Sequence, residues 1–279
     1  MANQSIVGSS PRSVFVNTNN TIYVVNREEN TILVWHEDSI NTTKVIPGNL
    51  INPWSLFVTS NGDIYIDDGE KNGRVQKWKA QTKTFDTVMN VNSSCWGLFV
   101  DTNETLYCSM PNHHQVVKKS LNDPEMKSIV AAGTGSAGPT FNQLNAPVGI
   151  FVDVNFDLYV AECGNNRIQL FESGDLNGIT VAGVGSINPT INLRCPSGIV
   201  LDAQKYLFIV DNNNDRIIGS SLNGFRCLVG CSGGGSQSNQ LFRPFSFSFD
   251  RSGNILVADQ LNNRIQKFEY FGRSCGELK

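Results

Sequence analysis

Long apolar runs are missing from this chain, and so is any excess of positive charge. No stretch approaches the roughly 20 apolar residues that a membrane-spanning helix needs. The formal net charge is −3 and the pI is about 5.6, so no overall basic field favours nucleic acid or an anionic membrane. We therefore expect neither membrane insertion nor a nucleic-acid partner.

Histidine is scarce as well, and motifs of catalytic sites are absent. The chain has His36, His113 and His114, and the last two are adjacent, so their side chains diverge. Catalytic zinc usually takes three protein ligands that converge on one point. The densest acidic cluster, at residues 67–70, lacks the ligand spacing of a recognised calcium loop. No nucleophile elbow or phosphate-binding loop occurs. We expect no catalytic residues, no metal and no cofactor.

Helical periodicity is also absent, and a phrase repeated six times takes its place. In each copy a small residue precedes an apolar run, a short polar turn follows, and a second apolar run returns. The first runs end at Val16, Val58, Val100, Val152, Leu201 and Phe249. These residues are 42, 42, 52, 49 and 48 positions apart, and the second runs begin at the same intervals. The first hairpin therefore has constant length, and the length variation lies outside it.

Two further strands follow the hairpin in each copy. The third is clearest at residues 167–171 and 264–268, and the fourth at 128–131 and 179–182. Four antiparallel strands at this spacing form one blade of a β-propeller. The sequence predicts an all-β, six-bladed β-propeller that occupies residues 1–272 as a single domain, followed by a short tail at 273–279.

The sixth copy lacks a fourth strand of its own, because little chain follows Phe268. At the other end of the chain, residues 5–8 resemble the fourth strands of other copies. We expect this N-terminal segment to supply the missing strand and to close the ring. Closure would remove the exposed sheet edges that otherwise invite aggregation.

The turns between second and third strands carry a recurring acid and arginine. They read ECGNNRI from Glu162, DNNNDRI from Asp211 and DQLNNRI from Asp259. With NAPVGI from Asn145 and CPSGI from Cys195, these motifs resemble the NHL repeat. The resemblance extends over nearly the whole chain and is strongest in units 4 to 6. It implies the same propeller fold, and the cysteines make the chain similar to disulfide-bearing extracellular NHL proteins of aquatic animals.

The acid and the arginine of this motif lie five residues apart across a tight turn. A charge-assisted pair there would hold the hairpin. Both partners are lost together in units 1 and 3, as expected if neither is useful alone, and unit 2 keeps both with one extra residue between them. We expect structural pairs, and not catalytic groups, at Asp68 and Arg74, Glu162 and Arg167, Asp211 and Arg216, and Asp259 and Arg264.

Some proteins of the NHL type are enzymes, notably the amidating lyase, in which histidines hold zinc on a similar ring. The scarcity of histidine argues against the same activity here. A propeller hydrolase or lyase with a metal site at the channel mouth stays open as an alternative, and a carboxylate, histidine or metal cluster at that mouth would favour it.

The position before each small residue lies near one mouth of the central channel in a propeller. It holds Arg12, Trp54, Trp96, Val148, Ser197 and Phe245, hereafter called the mouth residues. Large aromatic residues there are typical of surfaces that bind proteins or sugars, although they can also pack between blades. We expect Arg12, Trp54, Trp96 and Phe245, with the long loops 133–147, 183–195 and 230–243, to form the face that binds a protein partner. A lectin-like glycan site is the alternative.

Seven cysteines bear on the compartment. The expected disulfides join Cys95 to Cys108 across one hairpin, Cys163 to Cys195 between blades, and Cys227 to Cys231 around Gly230, which leaves Cys275 over. Three pairs favour an oxidising compartment, and buried free thiols are the alternative. The first residues do not resemble a signal peptide. The chain is therefore either cytosolic or a segment of a larger secreted protein, and we expect an extracellular, monomeric domain.

Overall fold

The computed structural model describes residues 2–36, 39, 44–123, 125–186 and 191–269. Within these ranges the chain forms six antiparallel sheets, five with four strands and one with three. Strands follow one another in sequence order within each sheet. The predicted six-bladed all-β propeller is confirmed. The predicted tail at 273–279 and Cys275 lie outside the described residues.

The blades are numbered in chain order. Blade 1 comprises β1 (Val14–Val16), β2 (Thr21–Asn26), β3 (Thr31–His36) and β4 (Lys44–Pro47). Blade 2 comprises β5 (Leu56–Val58), β6 (Ile64–Asp67), β7 (Arg74–Trp78) and β8 (Phe85–Asn90). Blade 3 comprises β9 (Gly97–Val100), β10 (Thr105–Met110), β11 (Gln115–Ser120) and β12 (Ile129–Ala132).

The second half of the ring repeats this order. Blade 4 comprises β13 (Pro147–Val152), β14 (Leu158–Glu162), β15 (Arg167–Phe171) and β16 (Ile179–Gly183). Blade 5 comprises β17 (Pro196–Leu201), β18 (Leu207–Asp211), β19 (Arg216–Ser221) and β20 (Gly224–Val229). Blade 6 comprises β21 (Pro244–Phe249), β22 (Ile255–Asp259) and β23 (Arg264–Phe268). Two four-residue helices, α1 (Gln4–Val7) and α2 (Gly69–Asn72), complete the described elements together with three short 3₁₀ turns. None of the described helices has the length and hydropathy to cross a membrane.

The first strands surround a central axis. Each contacts the first strand of the next blade, and β21 contacts β1. One buried apolar cluster fills each junction between neighbouring blades, including the junction of blades 6 and 1. Burial is the main favourable term in folding, so the blade junctions hold the ring together.

The constant first hairpin has a local cause in its turn. Asp101 Oδ1 accepts hydrogen bonds from the backbone N–H groups of Asn103, at 2.9 Å, and of Thr105, at 2.8 Å. The same pair of bonds recurs at equivalent turns, on the side chains of Asn17, Asp153, Asp202 and Asp250. A short acceptor side chain that binds its own turn gives this repeated position a structural role.

The small residue before each first strand has a cause in the close approach of neighbouring blades. A Cβ atom on Gly97 would collide with the carbonyl oxygen of Val148 in the next blade. Where serine replaces glycine, its hydroxyl bonds to the neighbour instead. Ser55 Oγ donates to Cys95 O at 2.7 Å, and Ser246 Oγ accepts from Val14 N at 3.0 Å.

A ladder of phenylalanines follows the inside of the ring. The next-to-last residue of the first strand is Phe15, Phe57, Phe99 or Phe151 in blades 1 to 4. Neighbouring rings lie 5.0–5.3 Å apart in edge or tilted contacts. Aromatic pairs favour such geometry. The ladder therefore ties four consecutive blades together beside the channel.

The strand expected at residues 5–8 was wrong. These residues include most of α1, whose turn closes when the N–H groups of Ile6 and Val7 donate to Asn3 O at 2.9 and 3.0 Å. Gly8 follows with a positive φ of 72°, which ends the turn. The N-terminal segment still contacts blade 6, since Ile265 N donates to Ala2 O at 2.9 Å. Val7 is fully buried between blades 1 and 6.

Candidate functional site

All six mouth residues lie at one end of the ring. First strands begin and second strands end at this end, because the two are antiparallel. Each blade therefore contributes its mouth residue and its turn between second and third strands to the same surface. The long loops that lead into β13, β17 and β21 reach this end as well. We call this surface the mouth face.

Aromatic mouth residues from three blades pack against one another. The rings of Trp54 and Trp96 stack, with centroids 3.8 Å apart and planes 11° from parallel. Phe245, from the far side of the ring, lies 6.2 Å from Trp54 and 6.0 Å from Trp96. Both tryptophans are partly exposed, whereas Phe245 is buried. The aromatic residues thus form one cluster over the channel, and not separate contacts within the blade cores.

Two arginines lie against this cluster. The guanidinium carbon of Arg12 is 4.1 Å from the Trp54 ring centroid and 4.7 Å from that of Phe245. Arg27, from the turn after β2, lies 4.2 Å from the Trp54 centroid. Cations over aromatic faces gain more when water is excluded. Burial, with Arg27 nearby, lowers the pKa of Arg12 to about 10.

The mouth residues of blades 4 and 5 are small, and they leave a cleft. Val148 and Ser197 are both buried and form its floor. The cleft has a volume of about 380 Å³. Arg12, Trp96 and Phe245 also line it. We call it the arginine cleft, because a second arginine, Arg243, belongs to its lining as well.

Much of the remaining lining is polar. It includes Asn212, Asn213, Arg243 and Gln260, with the disulfide of blades 4 and 5 beside them. Arg243 donates to the side-chain oxygens of Asn213 and, at 3.5 Å, of Asn212. Asn212 in turn donates to Pro244 O at 2.7 Å, which fixes the amide at the mouth.

A buried carboxylate supports the two tryptophans from below. Asp67 accepts backbone hydrogen bonds from Trp54 at 3.1 Å, from Gly69 at 3.1 Å and from Cys95 at 2.7 Å. Cys95 directly precedes Trp96, so one side chain positions the mouth residues of two blades. Burial, with Asp68 adjacent, raises the pKa of Asp67 to about 7 despite these three donors.

The structure brings all four acid–arginine pairs together. The distances from Nε to the carboxylate are 2.7 Å for Arg74–Asp68, 2.6 Å for Arg167–Glu162, 2.8 Å for Arg216–Asp211 and 2.7 Å for Arg264–Asp259. The acids also accept a backbone N–H from the preceding blade connection, as Glu162 does from Asn145 at 2.9 Å. Burial raises the pKa of Glu162, although Arg167 opposes this effect.

In the later blades the same arginines hold the long loops, a role that sequence reasoning missed. Arg167 donates to Pro139 O at 2.7 Å, and Arg264 donates to Ser236 O at 2.9 Å. A guanidinium has five donors in a fixed plane, so one arginine can bind its acid and several carbonyls. The loops of the mouth face are therefore fixed by the scaffold.

The three expected disulfides are present, namely Cys95–Cys108, Cys163–Cys195 and Cys227–Cys231. They indicate an oxidising environment. The Cys163–Cys195 bridge joins the turn after β14 to the start of β17, so it links two blades at the mouth face.

The histidines do not converge. His36 is exposed at the end of β3, and His114 Nδ1 accepts a hydrogen bond from Ala146 N at 3.2 Å. Among the residues that the structure describes, no group of three His, Cys, Asp or Glu side chains is placed to hold a metal ion. Asp67 and Asp68 are occupied by backbone N–H groups and by Arg74, respectively.

Arg27 belongs to the mouth face but was not predicted, and Arg243 was included only as the last residue of the long loop 230–243. Both lie outside the repeated phrase, in a turn and a long loop from different blades. A signal for Arg27 exists in hindsight. Arg27 follows Asn26. In this copy the neutral residues Asn26 and Thr31 replace the acid–arginine pair, and Arg27 comes directly after the position of the acid.

No model of a known protein family matches the chain, and no curated protein matches it. Solved structures match in fold. A protein of unknown function from Bacteroides thetaiotaomicron is 16% identical with a TM-score of 0.75, over 93% of this chain and 69% of that chain. A virginiamycin B lyase from Staphylococcus aureus is 14% identical with a TM-score of 0.64, over 97% of this chain and 87% of that chain.

An auxiliary nutrient binding protein from Bacteroides thetaiotaomicron is 14% identical with a TM-score of 0.70, over 93% of this chain and 68% of that chain. Identities this low show the fold alone. The propeller is therefore shared with these structures, whereas membership of the NHL family is not confirmed.

Proposed function

We propose that this chain is a non-catalytic binding scaffold that presents the mouth face to an extracellular ligand. The observation that carries the proposal is the cluster of Arg12, Trp54, Trp96 and Phe245, with its partly exposed tryptophans and the cleft beside it. Tryptophan and arginine are the residue types most enriched in the centres of binding surfaces. Because the propeller fold occurs in both binding proteins and enzymes, the choice between these functions must rest on the residues of the site.

A protein partner is the first candidate. Large apolar side chains are exposed in each long loop, including Phe141 at 73%, Val184 at 65% and Phe242 at 42%. Exposed apolar residues grouped on one surface are characteristic of interaction sites. They would form a rim around the aromatic cluster. A disulfide-bonded module with fixed loops suits an extracellular partner.

A glycan is the second candidate, and the walls of the arginine cleft favour it. Amide side chains of Asn212, Asn213 and Gln260 stand opposite the rings of Trp96 and Phe245. Amides can both donate and accept hydrogen bonds, as sugar hydroxyls require. Aromatic rings cover the apolar faces of pyranoses. The cleft volume also lies within the range of small-molecule sites, roughly 300–1,000 Å³.

The enzyme alternative has less support. Its requirement is a free acid, base or metal cluster at the channel mouth. The carboxylate of Asp67 beneath the mouth cluster is occupied by three backbone N–H groups, and within the described chain no group of three His, Cys, Asp or Glu side chains is placed to hold a metal ion. We therefore assign no catalytic role to the mouth face.

The test is a comparison of variants on opposite ends of the ring. Immobilised wild-type protein is screened against a glycan array and a panel of extracellular protein domains, and each ligand is then measured with Trp54→Ala and Trp96→Ala. We expect both variants to weaken binding by about tenfold or more, since hot-spot truncations cost about 2 kcal/mol or more.

Val154→Ala is the matched control. Val154 is 78% exposed in the turn after β13, at the other end of the ring. We expect it to leave affinity unchanged, and thermal unfolding verifies that all variants are folded. A ligand that binds all three variants as tightly as the wild type would place the binding surface elsewhere.

A further inference from the structure

The arginine cleft carries an unbalanced positive charge. Its lining includes the side chains of Arg12 and Arg243 and no carboxylate. Neither arginine has an ion-pair partner among the described residues. A second cleft of about 460 Å³ beside Trp54 is lined by Arg27 and Lys71 but also by Glu70, whose carboxylate offsets one of the two positive charges. The arginine cleft, with two guanidinium groups and no carboxylate in its lining, therefore has the larger net positive charge.

The half-buried Arg12 side chain lacks a hydrogen-bond partner for its one buried nitrogen. Its Nε atom is buried and has no hydrogen-bond partner within the described chain. Its contacts are the rings of Trp54 and Phe245, and the neighbouring cation Arg27 opposes its charge. An unpaired buried donor is unfavourable, and more so when it is charged. An anion that binds the other guanidinium nitrogens from the cleft would stabilise this charge.

Arg243, which also lines the cleft, is held by two neighbouring amides. Its guanidinium donates to the side-chain oxygens of Asn212 and Asn213, and its own backbone N–H donates to Asp215 Oδ1 at 2.7 Å. These bonds engage its NH1 group and leave other donors of the planar fork available. Two guanidinium groups that face one cleft suit an oxyanion, because carboxylates and sulfates match the geometry of arginine donors.

We propose that the arginine cleft binds an acidic saccharide, with a carboxylate or sulfate group between Arg12 and Arg243 and the sugar ring beside Trp96 and Phe245. This inference rests on the proposed binding function of the mouth face and names its ligand class. The amides of Asn213 and Gln260 then meet the hydroxyl groups. An extended peptide is disfavoured because the lining of the cleft offers side chains, whereas extended peptides take much of their affinity from an open strand edge.

The experiment uses three sugars that differ in charge alone or nearly so. Glucuronate, glucose 6-sulfate and uncharged glucose are titrated against the whole chain at low salt, with tryptophan fluorescence and ligand-observed NMR as readouts. We expect at least one charged sugar to bind tenfold or more tightly than glucose, and the affinity to fall with added salt. The two charged sugars distinguish a carboxylate from a sulfate. Equal affinity for all three sugars, or no binding by any, overturns the proposal.

Charge-matched variants localise the effect. Arg12→Gln and Arg243→Gln should each reduce affinity for the charged sugar about tenfold and leave that for glucose unchanged. Arg251→Gln removes the same charge from an exposed turn at the other end of the ring and should have no effect. If Arg251→Gln lost as much affinity, the effect would come from the net charge of the protein and not from the cleft, and the assignment would be overturned.

A short glutamate-rich peptide is the competing probe. If it binds in an Arg12-dependent manner while the sugars do not, the acidic-saccharide proposal is overturned and a protein source of the oxyanion is indicated. The proposed function is judged separately, because it depends on whether Trp96→Ala weakens any ligand of the mouth face. A ligand that requires Trp96 but not Arg12 would leave the binding function standing and remove the acidic-saccharide assignment.

Discussion

Asp67 shows how a single side chain can couple two blades. Its carboxylate is fully buried and accepts the backbone N–H groups of Trp54 and Cys95, from blades 2 and 3. The stacked tryptophans of the mouth cluster therefore rest on one acid. Its pKa, raised by burial to about 7, means that the folded protein takes up a proton within the physiological range.

Asp67 should produce a measurable pH dependence. Its folded pKa of about 7 exceeds the ordinary value of 3.8, so the proton stabilises the folded state. This contribution is complete below about pH 4 and is lost as pH rises through about 7, at about 1.4 kcal/mol per pKa unit. In urea unfolding, the stability of the wild type relative to Asp67→Asn should fall by up to a few kcal/mol between pH 4.5 and 7.5. A difference that does not vary with pH would contradict this assignment.

At the scale of the element, the acid–arginine pair fastens a blade connection to a hairpin. Arg167 binds Glu162 through Nε and the carbonyl oxygens of residues 139, 140 and 143 through its terminal nitrogens. Glu162 also accepts the Asn145 N–H. Both members of this ion pair therefore form hydrogen bonds to the loop that leads into β13.

The loss of Arg167 should cost more than the loss of Arg74. The side chain of Arg167 is 7% exposed and that of Arg74 is 33% exposed, and Arg74 has one described bond, to Asp68. Arg167→Ala should lower the free energy of unfolding by about 3–5 kcal/mol, because it breaks a pair in which both side chains are buried and also frees three loop carbonyls. Arg74→Ala should cost about 1 kcal/mol, as for partly exposed pairs. Urea unfolding of both variants checks this order, and equal losses would contradict it.

At the scale of the whole molecule, the junction of blades 6 and 1 is where the two ends of the ring meet. Val14 N and Val16 N donate to the hydroxyls of Ser246 and Ser248, each at 3.0 Å. The N-terminal segment adds the buried Val7 and the bond to Ile265. The junction is therefore closed by side chains and a helical turn, and not by a shared sheet.

Deletion of residues 1–8 should destabilise the whole ring. The loss of buried Val7 and of the Ala2 contact should cost about 2–4 kcal/mol, on the scale of other core truncations. For a chain of this size that corresponds to a fall in melting temperature of roughly 4–16 °C. Val7→Ala should give a smaller fall in the same direction. An unchanged melting temperature in the deletion variant would show that the segment does not support the ring.

The sequence was sufficient for the ring, because a hairpin of constant length repeated six times has few other solutions. It misled at residues 5–8, where an apolar pair between polar residues suits a strand and a helical turn equally. It placed the six mouth residues at one end of the ring, whereas their binding role remains a prediction. The contributions of Arg27 and Arg243 could not be derived, because they depend on which turn and which loop meet at the mouth across different blades.

The small residues at the blade junctions limit the volume available at the mouth of the channel. Neighbouring backbones touch at positions such as Gly97, and separating the blades to admit larger side chains would open the buried apolar clusters between them. The six mouth residues therefore share a fixed volume. Trp54 and Trp96 fill one part of it, and the cleft exists because Val148 and Ser197 are small. A chain of this architecture could change its ligand by exchanging volume among these six positions while its blades stay the same.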